Sequence, residues 1–414
     1  MKIRNIIIAA ALLISAASCD DNDAINKSFV DVKVSMPSHL EGKSAELENA
    51  VFTLENVNTG EKLVRETSYI PQVYFDLEDG LYNISVEGTI TYSNLSLDNK
   101  SIQKETGVRA KQENIKVVGG DLDLNLEFVT FNPSQGFLIS EIFFADTRTP
   151  EGKQYAAGDQ YIEIYNNSDK VLYADGLCIA ETELMSVEAL NEYTPDIRNE
   201  AVPVSSVYMI PGSGNEYPVQ PGETLLISDI AINHKEANKN SFDLSKSNFE
   251  WFDGEDIDTD VPEVKNMIKM VSTSKSVWHL HSRGFKSYIL FKFDKEVLPE
   301  EYVKDYAYHY EYLFVFNDME FPMDYDAWKV PNEFIIDAVQ CSTPSEYQWM
   351  VMSSSLDASY THSGDGDASR YGRSIKRKVL HVEGDRSILQ DTNDSASDFI
   401  PTAEPSPGII ETLN

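Results

Sequence analysis

Period-two alternation constrains this chain more than any other feature. Phe29-Val30-Asp31-Val32-Lys33-Val34 puts apolar and polar side chains on opposite faces, as a half-buried strand does. Val51–Leu54 leads to the turn Asn58-Thr59-Gly60 and then to Lys62–Val64. Tyr74–Leu77 precedes Asp79-Gly80 and a further run, Leu81–Gly88, with more strands expected at Asn114–Val118 and Leu122–Phe128. No long window carries the 3.6-residue period of an amphipathic helix. About seven short strands in about 100 residues, with turns at regular spacing, give an expected all-β fold whose first unit, 28–130, is a β-sandwich.

Punctuation divides the rest. Phe131-Asn132-Pro133-Ser134-Gln135-Gly136 is the expected boundary, so 131–136 separates 28–130 from 136–414. A hydrophobic share of 42% with 11% aromatics supplies enough apolar surface for two or three cores.

The N-terminus carries an address. A basic Met1-Lys2-Ile3-Arg4, an apolar run from Ile6 to Ile14 and Ser15-Ala16-Ala17-Ser18-Cys19 are the parts of a secretory signal over 1–18. The apolar run is short of the ~20 residues needed to span a bilayer. Cys19 after Ala-Ala-Ser resembles the lipobox of bacterial lipoproteins, which implies lipidation of its sulfur and an anchor in the membrane. Residues 19–27 then form an acidic linker. Its Asp20-Asp21-Asn22-Asp23 resembles the surface-export signal of Bacteroidota lipoproteins and implies the outer face of the outer membrane.

Without Lys2 and Arg4 the chain keeps 32 basic and 68 acidic residues, a net charge near −36. Nucleic-acid affinity comes largely from Lys and Arg releasing counterions, so nucleic acid is excluded as a partner.

Phe75-x-Leu77-x-x-Gly80-x-Tyr82-x-Ile84-x-Val86 resembles the carboxypeptidase-regulatory-like, transthyretin-type sandwich. The later chain resembles the immunoglobulin-like lamin-tail domain. The segments that carry this are Leu138-Ile139-Ser140-Glu141-Ile142, Tyr161–Ser168, Leu172–Leu177, Pro221–Ile227, Ile335–Val339, Ser374–Arg377, and Asp398-Phe399 followed by Pro405-Ser406-Pro407-Gly408. The lamin-tail core is much shorter than 136–414, which implies an insertion at about 180–330. Lipobox, front sandwich and lengthened lamin-tail-like region together resemble a Bacteroidota family of lipoproteins with no assigned activity.

Several constellations are candidate sites. Asp256, Asp258, Asp260 and Glu263 concentrate oxygen donors that suit Ca²⁺, although the loop lacks the glycine and terminal Glu of an EF-hand. Asp365-Gly366-Asp367 is a weaker version. His279 and His281 would share a strand face beside buried Trp278 and Leu280, where two imidazoles suit Zn²⁺, Cu²⁺ or haem iron. Solvated polar positions are the plainer account of both sets. Cys178 and Cys341 fit either a disulfide or two buried thiols. Asp394-Ser395-Ala396 resembles a Bacteroidota O-glycosylation signal with Ser395 as acceptor. No Gly-x-Ser-x-Gly elbow, phosphate loop or zinc-protease helix is present.

The expected function is therefore non-enzymatic: a surface lipoprotein that binds or scaffolds, with an outer-membrane transporter or nutrient-capture system as partner. Tyr306–Phe316, dense in aromatics, is either a strand or a contact surface. A surface hydrolase with its site in 180–330 and a metal or haem capture protein are the alternatives.

Overall fold

The computed structural model describes residues 27–37, 44–95, 101–131, 136–188, 193–254, 256–316, 319–354 and 356–410. The signal, Cys19 and the acidic linker up to residue 26 lie outside the described residues. What is described is all-β, with three short helices of four to seven residues.

Residues 27–131 form two facing sheets. One orders Gln72–Glu78, Lys27–Ser35 and Leu122–Glu127. The other orders Lys62–Thr67, Glu46–Asn56, Gly80–Leu95, Ser101–Val117 and Val129–Phe131. Alternation determines which side chains meet: Val30, Val32 and Phe75 from one sheet pack on Phe52, Ile84 and Val86 from the other. Asp79-Gly80 carries the chain from the smaller sheet to the centre of the larger one, where Tyr82 donates to the Glu78 carbonyl at 3.0 Å. At Gly88 a Cβ would stand 2.3 Å from the Asn49 carbonyl, beside the register shift between Leu47 and Asn49, so only glycine fits there.

Residues 137–403 build a larger sandwich. Its first sheet orders Lys265–Asn266, Phe249–Glu250, Thr224–Ser228, Tyr161–Asn166, Phe137–Phe143, Ser374–Arg377 and Phe399–Ala403. Its second orders Ala307–Phe316, Met319–Pro331, Ala201–Met209, Leu177–Thr182, Tyr288–Lys292 and Ile335–Val339. The inner faces enclose Ile139, Ile162, Ile179, Tyr208, Leu290 and Trp251. The outer face of the second sheet is covered as well, by Tyr302 of the helix Pro299–Asp305, Tyr193, Val351 and Met352. Strands buried on both faces lose their alternation, and Phe137–Phe143 and Leu177–Thr182 are buried at every position.

The expected insertion at 180–330 needs correcting. This span is not wholly outside the sandwich: it supplies Ala201–Met209, Thr224–Ser228 and Tyr288–Lys292, which sit inside the two sheets, with long connecting segments between them. The hairpin Ala307–Phe316/Met319–Pro331 leaves it. Its base, Trp328–Pro331, pairs with Ala201–Val204, while Ser206–Met209 pairs with Ile268–Ser272 instead. The remainder of the hairpin therefore runs on past the sheet.

The two sandwiches touch through Ser101–Val117. Arg109 donates to the Asn393 carbonyl, and Lys111 Nζ lies 3.3 Å from the Ala358 carbonyl and 3.6 Å from Asp394.

Candidate binding surface

The hairpin has two unlike faces. Antiparallel pairing sets Tyr310 opposite Tyr325, Tyr312 opposite Met323 and Phe314 opposite Phe321, all on one face. The rings stack in sequence: Tyr308 on Tyr310 at 5.6 Å, Tyr310 on Tyr325 at 5.7 Å and Tyr312 on Tyr325 at 5.9 Å. Near the sheet this stripe is core, with Tyr308 and Tyr310 buried and the Tyr310 hydroxyl donating to Glu183 at 3.1 Å. Further out it meets solvent, where Tyr325 is 40% and Phe321 41% exposed. The opposite face pairs His309 with Asp326, Glu311 with Asp324 and Val315 with Glu320. From Tyr306 to Trp328 the sequence has five acids and no Lys or Arg.

The chemistry-bearing candidates fall elsewhere, and most are dispersed. His279 and His281 lie in an extended segment outside any strand and take different environments. His279 Nδ1 is 2.7 Å from Asp229 Oδ2, a hydrogen bond that raises the imidazole's pKa. His281 stacks on Phe285 at 5.1 Å, and burial lowers its pKa to about 4. Between them the chain buries Leu280, and Trp278 stacks on Tyr208 at 4.7 Å. The two imidazoles therefore do not form a ligand pair. Among the described residues no group of three or more His, Cys, Asp or Glu side chains is placed to hold a metal ion.

The acidic loop is corrected in the same way. Asp258 accepts from the amides of Asp253 and Thr259, and Asp260 accepts from Asn266 Nδ2 at 2.8 Å, while Asp256 and Glu263 face solvent. The oxygens brace the loop and do not converge on one point. Asp365 is likewise occupied, by Ser345 at 2.7 Å.

Cys178 and Cys341 are two buried free thiols. Cys178 faces the outer core of the second sheet and Cys341 the core between the sheets, so no disulfide joins them. Ser395 is also buried: its hydroxyl donates to Asp357 at 2.5 Å, and the first turn of Ser395–Asp398 is pinned there, which removes it as a glycosylation acceptor in the folded chain.

A feature that alternation concealed lies inside the large sandwich. Glu141 and Glu163 oppose each other on neighbouring strands, both buried. Glu141 accepts from Tyr161 and the Ser406 amide, and Glu163 from Ser140 and the Gly408 amide at 2.6 Å. Burial, opposed by Ser140 and reinforced by Glu141, pushes Glu163 to about 7. The pair fastens the closing Ser406-Pro407-Gly408 onto the sheet. Nearby, the buried Arg377 meets Asp337 at 2.6 Å, Asp391 at 3.3 Å and Asp398 at 3.7 Å. Asp337 also accepts from the Ile139 amide at 2.7 Å. Opening, late and closing segments of the chain thus meet at one guanidinium.

One arrangement suits acid–base chemistry. His279 borders a cleft of about 220 Å³ with Asp146, Gln154, Gln160 and Ser282, and burial pushes Asp146 to about 7. An imidazole oriented by a carboxylate is the arrangement of a general base. Among the described residues, no hydroxyl or thiol hydrogen-bonds to that imidazole.

Comparison with known proteins agrees with the fold. A family described as a protein of unknown function (DUF4876) matches residues 220–406. A DUF4876 family protein from Bacteroides thetaiotaomicron, known from a crystal structure, is 23% identical; the alignment covers 92% of this chain and 96% of that one, with a TM-score of 0.56. This chain therefore has the all-β architecture of that protein. A "putative adhesin" from Bacteroides ovatus is 12% identical, covering 76% of this chain and 88% of that one at a TM-score of 0.18. A "putative cell adhesion protein" from Bacteroides eggerthii is 9% identical, covering 73% and 79% at 0.19. Scores that low carry neither fold nor function across. No curated protein matches.

Proposed function

We propose that this is a lipid-anchored protein of the outer-membrane surface that acts by binding, as a scaffold or capture component beside an outer-membrane transport system. The observation that carries this reading is the hairpin. It takes an aromatic stripe out of the core and presents Phe321 and Tyr325 to solvent on a braced two-stranded arm. Aromatic side chains dominate binding hot spots, and large apolar groups exposed together mark interaction sites. Cys19, with the acids that follow it, supplies the anchor and the surface address. An anchor raises the local concentration of the arm for any integral protein of the same membrane.

The anchor is tested by metabolic labelling with a palmitate analogue. The natural chain should take up label and Cys19→Ala should take up none, because the thiol is the acceptor. Label retained by Cys19→Ala would contradict the reading.

A surface hydrolase is the second reading, favoured by the His279–Asp229 pair on its cleft. Among the described residues no hydroxyl or thiol stands against that imidazole as a nucleophile. Turnover of a glycan or peptide library by the purified chain, abolished by His279→Gln, would establish it over binding alone.

A further inference from the structure

The arm differs from an ordinary exposed apolar patch because its two faces call for opposite chemistry. One face is aromatic, with Tyr312, Phe321 and Tyr325 in a row. The other carries Glu311, Asp324 and Asp326, with Leu313, Pro322, Val315 and Glu320 farther out, and from Tyr306 to Trp328 the only basic side chain is His309, which is 2.9 Å from Asp326. A two-stranded ribbon is thin, so any surface that buries one face brings its own bulk close to the other. A flat membrane satisfies only the aromatic face, and its phosphates repel the acidic one. A second copy of this chain brings the same acids and the same strongly negative net charge against it.

We infer that the arm is a finger that enters a cleft in a protein partner, with an apolar wall against the aromatic face and a wall of Lys and Arg against the acidic face. This rests on the binding reading above and specifies its partner. The aromatic side supplies the desolvated anchor. The acidic side selects and orients the partner, chiefly through the rate of encounter. Nearer the sheet, Tyr193 packs edge-on against Tyr310, and the Thr194 and Glu311 backbones pair, which holds the root of the finger still.

The test places photoreactive benzoylphenylalanine, in separate experiments, at Tyr325 and at Asp324 of the full anchored chain on intact cells. Crosslinked peptides are then identified by mass spectrometry. The expected result is one partner protein captured from both positions, with position 325 joined to an apolar stretch and position 324 to a stretch bearing Lys or Arg. The triple variant Glu311→Gln/Asp324→Asn/Asp326→Asn should cut the initial rate of capture from position 325 at least fivefold at low salt, with little change at 0.5 M salt. Purified Cys19→Ala chain should not float with phosphatidylethanolamine–phosphatidylglycerol vesicles.

Flotation that Phe321→Ser/Tyr325→Ser removes would make the arm a membrane wedge and overturn the inference. Crosslinks only to other copies of the chain would overturn it too. One partner captured from both faces, but through an acidic or uncharged wall, overturns the cleft chemistry and leaves the binding reading standing. Silence from both positions, with the variants still folded by their melting midpoints, overturns both.

Discussion

The front and rear sandwiches share a secondary structure and are stabilised by different chemistry. In the front one, strands such as Lys27–Ser35 alternate buried and exposed side chains, and carboxylates such as Asp76 and Glu78 stay with water. Its core is a meeting of aliphatic and aromatic side chains. In the rear one, both faces of the central strands are covered, so polar groups on those strands are forced inside. Glu141, Glu163, Glu181, Asp337 and Arg377 are each at most 4% exposed. A sheet with one wet face can leave its charges outside. A sheet covered twice has to pair them, and a buried pair is stable only while both members remain.

The largest effect that would sharpen this contrast is loss of the rear hub. Arg377→Leu leaves Asp337, Asp391 and Asp398 together without their cation, and should cost about 3–5 kcal/mol of rear-sandwich stability. Urea unfolding followed by a rear-specific probe such as Trp251 fluorescence measures it. A loss below about 1 kcal/mol would break the contrast. Next is Tyr310→Ala at the buried root of the finger, expected to cost about 3 kcal/mol.

pH should separate the sandwiches more gently. Glu163, Asp146 and Asp357 are each pushed by burial to about 7 in the folded chain, against about 4 when unfolded. Between those values the folded state holds protons that the unfolded state has released. The stabilisation is complete below about 4 and is lost as pH rises through 7. The rear melting midpoint should therefore fall between pH 5 and 8. The front has no buried carboxyl of this kind among its described residues, so its midpoint should stay level. Glu163→Gln should flatten part of the rear slope, and equal slopes in both sandwiches would break the comparison. The smallest effect is Phe321→Ser at the exposed end of the finger, which should change stability by no more than about 0.5 kcal/mol.

The same difference decided what could be read from sequence. In the front sandwich, Val30, Val32 and Val34 were identifiable as core because alternation reports a single buried face. In the rear, Leu138–Ile142, Tyr161–Ser168 and Ser374–Arg377 were placed as strands only by resemblance. Their carboxylates sat at positions that alternation assigns to water. Nothing local to Glu141 announces that residues 406–408 will lie over it, more than 260 positions later. Asp337 and Arg377 stand inside strand motifs, and their ion pair is a fact of tertiary structure alone. The spacing of His279 and His281 was right for one strand face, but the segment is not a strand, and Asp229 and Phe285 take one ring each. The aromatic run at Tyr306–Phe316 is a strand from Ala307, buried at its root and exposed farther out, which the residue types alone do not separate.

The most direct measurement of the central claim is capture from intact cells through the anchored chain, comparing wild type with Phe321→Ser/Tyr325→Ser. The account predicts a partner protein enriched at least tenfold by the wild type over the variant, with both chains equally abundant, labelled at Cys19 and folded. Equal recovery of the same partner by both chains, or recovery of the chain alone from wild-type cells, would contradict it.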